Sequence, residues 1–190
     1  MKNTNLRSVF IVLFAALICA GCFIAVPVGP GGIPIVLQNM FVVLSSLILG
    51  GFGGFWAACI FVAAGALGLP VYSGGTGGIA HIFGPTGGFL TGYIVAALAA
   101  GLLARIPSTA EKPFGFSTII RLSLAALAGY VILYIPGVLW FMHLTGKGLM
   151  PTMAACVIPF IPGDIIKLAV TVPVAAKLRP SAARYLTGGK

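Results

Sequence analysis

Acidic side chains are almost missing from this chain: its 190 residues include one Glu and one Asp, Glu111 and Asp164. Charged residues of both signs make up only 7% of the sequence, against about 25% in soluble domains. Eleven Lys and Arg with two carboxylates cannot cover a core of this length with a charged shell. Water is therefore excluded as the principal solvent. With 59% hydrophobic residues and a mean hydropathy of +1.14, lipid takes its place. The catalytic inventory is nearly empty as well. No carboxylate pair, serine triad or catalytic cysteine is discernible, so no enzyme activity and no cofactor are expected.

Other classes fall on similar grounds. The net charge of +9 would suggest nucleic acid in a soluble protein, but the basic residues are scattered at segment ends and form no patch or stripe. Cys19, Cys22, Cys59 and Cys156 lie in apolar runs, where free thiols behave as small hydrophobes, so no disulfide framework follows. Cys19 and Cys22 share a helix face without a neighbouring His or carboxylate, which favours packing over a metal site. His81 and His143 read as surface residues of outer loops. Glu111, between Arg105 and Lys112, reads as a solvated charge. The glycine clusters lack the G-x-x-x-x-G-K-[ST] pattern of phosphate loops, which excludes nucleotide hydrolysis by this chain.

What is present is a series of apolar runs. Crossing a hydrocarbon core of about 30 Å takes roughly 20 apolar residues, and six segments approach that: Val9 to Ala25, Ile35 to Leu49, Phe52 to Leu69, Gly87 to Leu103, Thr118 to Phe141, and Thr152 to about Lys177. The second is short. The expected fold is therefore an all-α membrane protein of six transmembrane helices, a single integral domain over residues 1–190. Lys and Arg collect on cytoplasmic sides. With both termini inside, Lys2, Arg7, Arg105, Lys112, Arg121, Lys177, Arg179, Arg184 and Lys190 fall within and only Lys147 outside. Ala20-Gly21-Cys22 has some likeness to a lipoprotein cleavage site, but Cys19 stands where such sites favour Leu, and a retained helix is the simpler reading. That helix carries Ala16-x-x-x-Ala20 and Gly21-x-x-x-Ala25, small-residue spacings that let another helix approach, from this chain or a partner. The outer loops, Val26 to Pro34 and Pro70 to Thr86, are rich in Gly and Pro and suit the lid of an outward-facing pocket.

Asp164 and Lys167 lie within the sixth segment, three residues apart and so on one helical face. A lone charge at the bilayer centre costs about 2.5–3.5 kcal/mol on insertion scales, and ionisable residues there are usually functional. The pair reads either as a ligand site or as a self-neutralising pin. Pro159 and Pro162 interrupt the helix beside it, as in transporter sites. Gln38 and Asn39 add amide donors and acceptors in an otherwise apolar run. Tyr93, Tyr130 and Tyr134 are candidates for the same cavity.

These residues resemble the BioY family, the biotin-binding membrane subunits (S components) of energy-coupling factor (ECF) transporters. The resemblance runs over almost the whole chain. It rests on Pro34-Ile35-Val36-Leu37-Gln38-Asn39, Gly68-Leu69-Pro70-Val71 with the glycines after Ser73, Gly84-Pro85-Thr86-Gly87-Gly88, and Pro162-Gly163-Asp164 followed by Lys167. It implies a six-helix S-component bundle in the bacterial cytoplasmic membrane and a biotin site open to the outside. ATP would be used only by separate ATPase subunits acting with a transmembrane coupling subunit. Asp164 and Lys167 would be the central polar pair, with Gln38, Asn39 and the loop containing Thr86 near the ligand, and Ala16 and Ala20 would face the coupling subunit. The chemistry suits biotin independently, because a ureido ring offers two N–H donors beside one carbonyl to a carboxylate and an ammonium. Its rings and valeryl chain suit an apolar cavity. Another small vitamin in the same fold, or a structural membrane subunit or intramembrane enzyme, are the competing readings.

Overall fold

A computed structural model describes residues 2–26 and 35–186. Among these residues eight α-helices run in the order α1 (Lys2–Ala20), α2 (Gln38–Leu49), α3 (Gly51–Ala66), α4 (Ala80–Phe83), α5 (Gly87–Ala104), α6 (Phe116–Thr145), α7 (Leu149–Cys156) and α8 (Ile161–Leu186). Two-residue strands, β1 (Ala25–Val26) and β2 (Ile35–Val36), pair antiparallel with Ala25 opposite Val36. The remainder of the expected first outer loop, residues 27–34, lies outside the described residues.

Among the described residues, four stretches are long and apolar enough to cross a membrane: Leu6–Phe23, Gly87–Ala104, Phe116–Thr145 and Leu149–Leu186. The protein is thus a multi-pass, essentially all-helical membrane protein. Its outer surface agrees, since Val12, Leu13, Trp56, Val95, Val131 and Leu139 are all more than half exposed, a distribution stable only against lipid. The two remaining expected spans are shorter. At 1.5 Å per residue, the 12 residues of α2 and the 16 of α3 reach about 18 and 24 Å.

The shortness of α2 has a physical reason. It touches α1, α3, α5, α6 and α8, and ten of its twelve residues are buried. A helix surrounded by other helices need not match the thickness of the hydrocarbon. Its two polar residues at mid-length, Ser45 and Ser46, donate to the carbonyl of Val42 at 2.7 and 2.8 Å, so neither brings an unsatisfied hydroxyl into the core. The chain reverses into α3 at Gly50, whose φ of +78° is accessible to glycine at little cost. On the far side, α5 packs closely on α6: a Cβ at Gly88 would lie 2.4 Å from the Pro136 carbonyl, so only glycine permits that approach.

The end of the bundle away from α4 is held by Arg179 of α8, which is fully buried. Its guanidinium donates to the carbonyls of Leu47, Ala104 (3.1 Å) and Arg105 (3.3 Å), and to the Glu111 carboxylate (2.8 Å). Glu111 also pairs with Arg121 of α6. This corrects the expectation for both residues. The Glu111 side chain is buried between two arginines, 6% exposed, and is no solvated charge; Arg179 ties the C-terminal ends of α2 and α5 to α8. Replacing it by Met strips one partner from a buried charged network, a loss of about 3–5 kcal/mol. Arg179→Met is therefore expected to lower the thermal unfolding midpoint in detergent by several degrees, whereas Arg184→Met on the exposed side of the same helix leaves it nearly unchanged. Equal midpoints for Arg179→Met and wild type would show that the network does not stabilise the bundle.

Candidate ligand-binding site

The sixth apolar segment breaks where its prolines stand. α7 ends at Cys156, Val157 leaves helical geometry (φ −126°, ψ −60°), a 3₁₀ turn follows over Ile158–Phe160, and α8 begins at Ile161. Asp164 consequently sits in the first turn of α8, where the positive end of the helix dipole favours a carboxylate. Lys167, one turn later, lies beside it with Nζ 3.2 Å from Oδ1.

The pair is not isolated. Asn39, at the start of α2, donates from Nδ2 to Asp164 Oδ1 at 2.9 Å and accepts from Lys167 Nζ on Oδ1 at 2.8 Å. These opposite partners fix the amide orientation. Tyr134 of α6 donates its hydroxyl to Asp164 Oδ2. Asp164 thus accepts from three donors on α2, α6 and α8, and all four side chains are largely shielded from solvent. Such saturation is what a charge in a low-dielectric interior requires.

Above this knot lies a cavity of about 320 Å³, at the small end of the roughly 300–1,000 Å³ range of ligand pockets. Its wall is mainly apolar, including Val36, Phe89, Leu90, Leu133 and Phe160, with polar groups from Gln38, Asn39, Ser73, Thr76, His81, Thr86, Tyr93, Tyr134 and Lys167. The mouth is built by the Gly-rich connection after α3. Gln38 Nε2 donates to the Val71 carbonyl (2.7 Å), Tyr72 donates to the Val62 carbonyl (2.6 Å), and the Tyr72 ring meets Phe61 and His81 edge-on. Trp140 of α6 donates to the Gly84 carbonyl at 2.9 Å, fixing the turn that carries Thr86. Among the described residues, no three His, Cys, Asp or Glu side chains converge as a metal site would require.

The BioY family model matches residues 1–184. The chain belongs to the BioY family. It is 41% identical over 186 residues to the biotin transporter BioY of Rhodobacter capsulatus, covering 90% of this chain and 93% of that one. It is 37% identical to the probable biotin transporter BioY of Pyrococcus horikoshii, with 89% and 93% covered. Among solved structures it resembles the S-component for biotin from an ECF-type ABC transporter, with a TM-score of 0.80, 27% identity and 94% of each chain covered.

Within this BioY chain the residues singled out from sequence separate into groups. Gln38, Asn39, Thr86, Tyr93, Tyr134 and Lys167 line the cavity. Asp164 and Tyr130 do not. Asp164 lies behind Asn39, Lys167 and Tyr134 and holds all three, while Tyr130 is buried deeper. Both histidine expectations need correction. His81 belongs to α4, is half-buried and faces the cavity; His143 is exposed but lies in the last turn of α6 and not in a loop. Tyr72, Ser73, Thr76, Phe89 and Phe160 were not found from sequence. A signal existed for the first three, which sit inside the Pro70 to Thr86 loop already expected to form a lid, but nothing local marks which loop side chains turn inward. Ala16 and Ala20 are exposed on α1, opposite Phe14, Ala15 and Ile18, which face the bundle.

The knot makes a prediction about stability alone. Lys167→Met leaves the Asp164 carboxylate buried without its counter-charge, a loss of about 3–5 kcal/mol. Adding Asp164→Asn removes that charge too, so the double variant is expected to unfold at a higher temperature than Lys167→Met when both are measured without ligand in detergent. A double variant that melts below the single one would show that the two charges do not compensate each other.

Proposed function

We propose that this protein is the biotin-capturing S component of a vitamin uptake transporter in the bacterial cytoplasmic membrane. In this reading α1, α2, α3, α5, α6 and the broken α7–α8 stretch make six crossings, with both termini in the cytoplasm. The nine-to-one distribution of basic residues supports that orientation, and the central burial of α2 explains why a short helix suffices there. The cavity then opens to the outside. Non-enzymatic capture is followed by delivery inward with a transmembrane coupling subunit and ATPase subunits. The small residues Ala16 and Ala20, exposed on α1, support a docking face for the coupling subunit.

The observation that carries the reading is a small, mostly apolar cavity whose floor holds a compensated Lys167–Asn39–Asp164–Tyr134 knot, in a family whose curated relatives are described as biotin transporters. Biotin is largely apolar, and its ring and carboxylate ends need only a few aimed polar groups. Lys167 supplies a cation for the ureido carbonyl or the valerate carboxylate. Gln38 supplies an amide oxygen and Asn39 its second amide N–H for the ureido edge, and Thr86, Tyr93 and Tyr134 border the ring system. Asp164, already accepting from three donors, acts here chiefly by fixing Asn39, Lys167 and Tyr134 before ligand arrives, and preorganisation of that kind raises affinity by removing an ordering cost. Tyr130 supports the wall from behind.

Equilibrium binding of labelled biotin to the purified chain in detergent tests this directly. Wild type is expected to bind without partner subunits, and unlabelled thiamine or riboflavin should not displace the label. Asp164→Asn should weaken binding at least tenfold, about 1.4 kcal/mol, while Leu139→Gln on the lipid-facing side of α6 leaves it unchanged. Failure of monodisperse wild type to bind biotin, or efficient displacement by another vitamin, would overturn the assignment.

A further inference from the structure

At the end of the bundle opposite the cavity, a groove of about 550 Å³ runs between the C-terminus of α5 and the first turns of α6. Its residues divide by chemistry. Arg105, Arg121 and Ser117 supply its polar groups, and Leu103, Phe116, Ile120, Leu124 and Ala125 make an apolar wall. We propose that this groove binds one anionic phospholipid, its phosphate against Arg105 and Arg121 and an acyl chain along Ile120 and Leu124.

Charge is the first argument. The cluster at this end contains the guanidiniums of Arg105, Arg121 and Arg179 against the single carboxylate of Glu111, which pairs with Arg121 and Arg179. Two positive charges are left over. Arg179 is fully buried with its donors taken by backbone carbonyls and Glu111, so the guanidiniums that face the groove are those of Arg105 and Arg121. Arg105 is exposed and forms no ion pair among the described residues, and the Nε of Arg121 is buried with no hydrogen-bond partner among them. A phosphodiester supplies the missing charge and acceptors for the exposed Arg105 guanidinium.

Backbone geometry is the second. Arg105 is the one non-glycine residue with positive φ (64°) among those described, a conformation costing about 1–3 kcal/mol away from glycine. Its carbonyl accepts from Arg179 at 3.3 Å, so the cost is met by the buried network. The same backbone turn leaves the Arg105 side chain facing the groove.

Depth and shape are the third. α5 carries the chain about 27 Å from the cavity end, at 1.5 Å per residue, which sets the groove at the level where hydrocarbon meets headgroups. Leu103 and Leu124 are both more than half exposed and already face lipid. Basic pockets between helices at this depth suit anionic headgroups. A free inorganic phosphate would satisfy the arginines but would leave this apolar length uncovered. The inference rests on the membrane placement alone and is independent of the biotin assignment.

Native mass spectrometry of the full chain, titrated with phosphatidylglycerol or with phosphatidylcholine of the same acyl chains, is the test. Wild type is expected to retain one phosphatidylglycerol in preference to phosphatidylcholine. Arg105→Gln should reduce that preference about fivefold, the weight of one basic contact, and Arg105→Lys should keep most of it. Ile120→Trp, filling the groove without touching charge, should weaken both lipids. Lys112→Gln removes a nearby exposed charge outside the groove and should change nothing. All variants are checked for an unchanged unfolding temperature in lipid-free detergent, and Arg105→Lys with Ile120→Trp keeps the test decisive if Arg105→Gln is unstable. Equal retention of the two lipids, equal losses from Lys112→Gln and Arg105→Gln, or displacement of the lipid by inorganic phosphate would each overturn the proposal.

Discussion

Asp164 is the carboxylate that lies within the helices, and the rest of the structure is arranged so that its charge is never alone. It accepts from Asn39 of α2, Tyr134 of α6 and Lys167 of α8, so three elements distant in sequence must meet at one point. The break between α7 and α8 places it in a first turn, where the helix itself favours the anion. Remove the compensation and the membrane interior makes an unpaired charge costly. With it, the same groups form a rigid polar floor under an apolar cavity.

The opposite end obeys the same constraint with the signs exchanged. Arg179 is a buried cation satisfied by one carboxylate and three carbonyls that cap α2 and α5. The bundle is therefore pinned at both ends by α8, through Lys167 and Asp164 at the cavity and Arg179 at the far side, with α2 caught between them. This gives the chain two separate polar centres joined by one helix. The proposed ligand site and the proposed lipid groove lie at these two ends, and their chemistry differs accordingly: a neutralised knot facing a small cavity at one, an uncompensated positive cluster facing lipid at the other.

Misreadings at the level of sequence share one cause. Glu111 has Arg105 and Lys112 as sequence neighbours, which suggests a solvated loop, yet its partners are Arg121 and Arg179, ten and sixty-eight residues away. His81 lies in a Gly-rich stretch of sequence and reads as exposed, but that stretch, with α4 inside it, folds over the cavity because Gln38 and Trp140 hold its two flanks. Tyr130 and Tyr134 are one helical turn apart and look equivalent, but only Tyr134 reaches Asp164 and the cavity. In each case local composition is the same for both outcomes, and long-range hydrogen bonds make the difference.

Composition and pattern alone determined that this is a multi-pass helical membrane protein, because a chain with so few charges has no other solvent in which to fold. They also determined that Asp164 and Lys167 belong together, since three residues of helix put them on one face, and that the prolines beside them interrupt that helix. The motif series was specific enough to point to the BioY family. Only the tertiary structure decided that Asn39 and Tyr134 complete the pair, that Asp164 stands behind the cavity wall while Lys167 faces it, and that Arg179 is a buried strut rather than a topology signal. Those are properties of which helix faces meet, and a sequence records the faces but not their meeting.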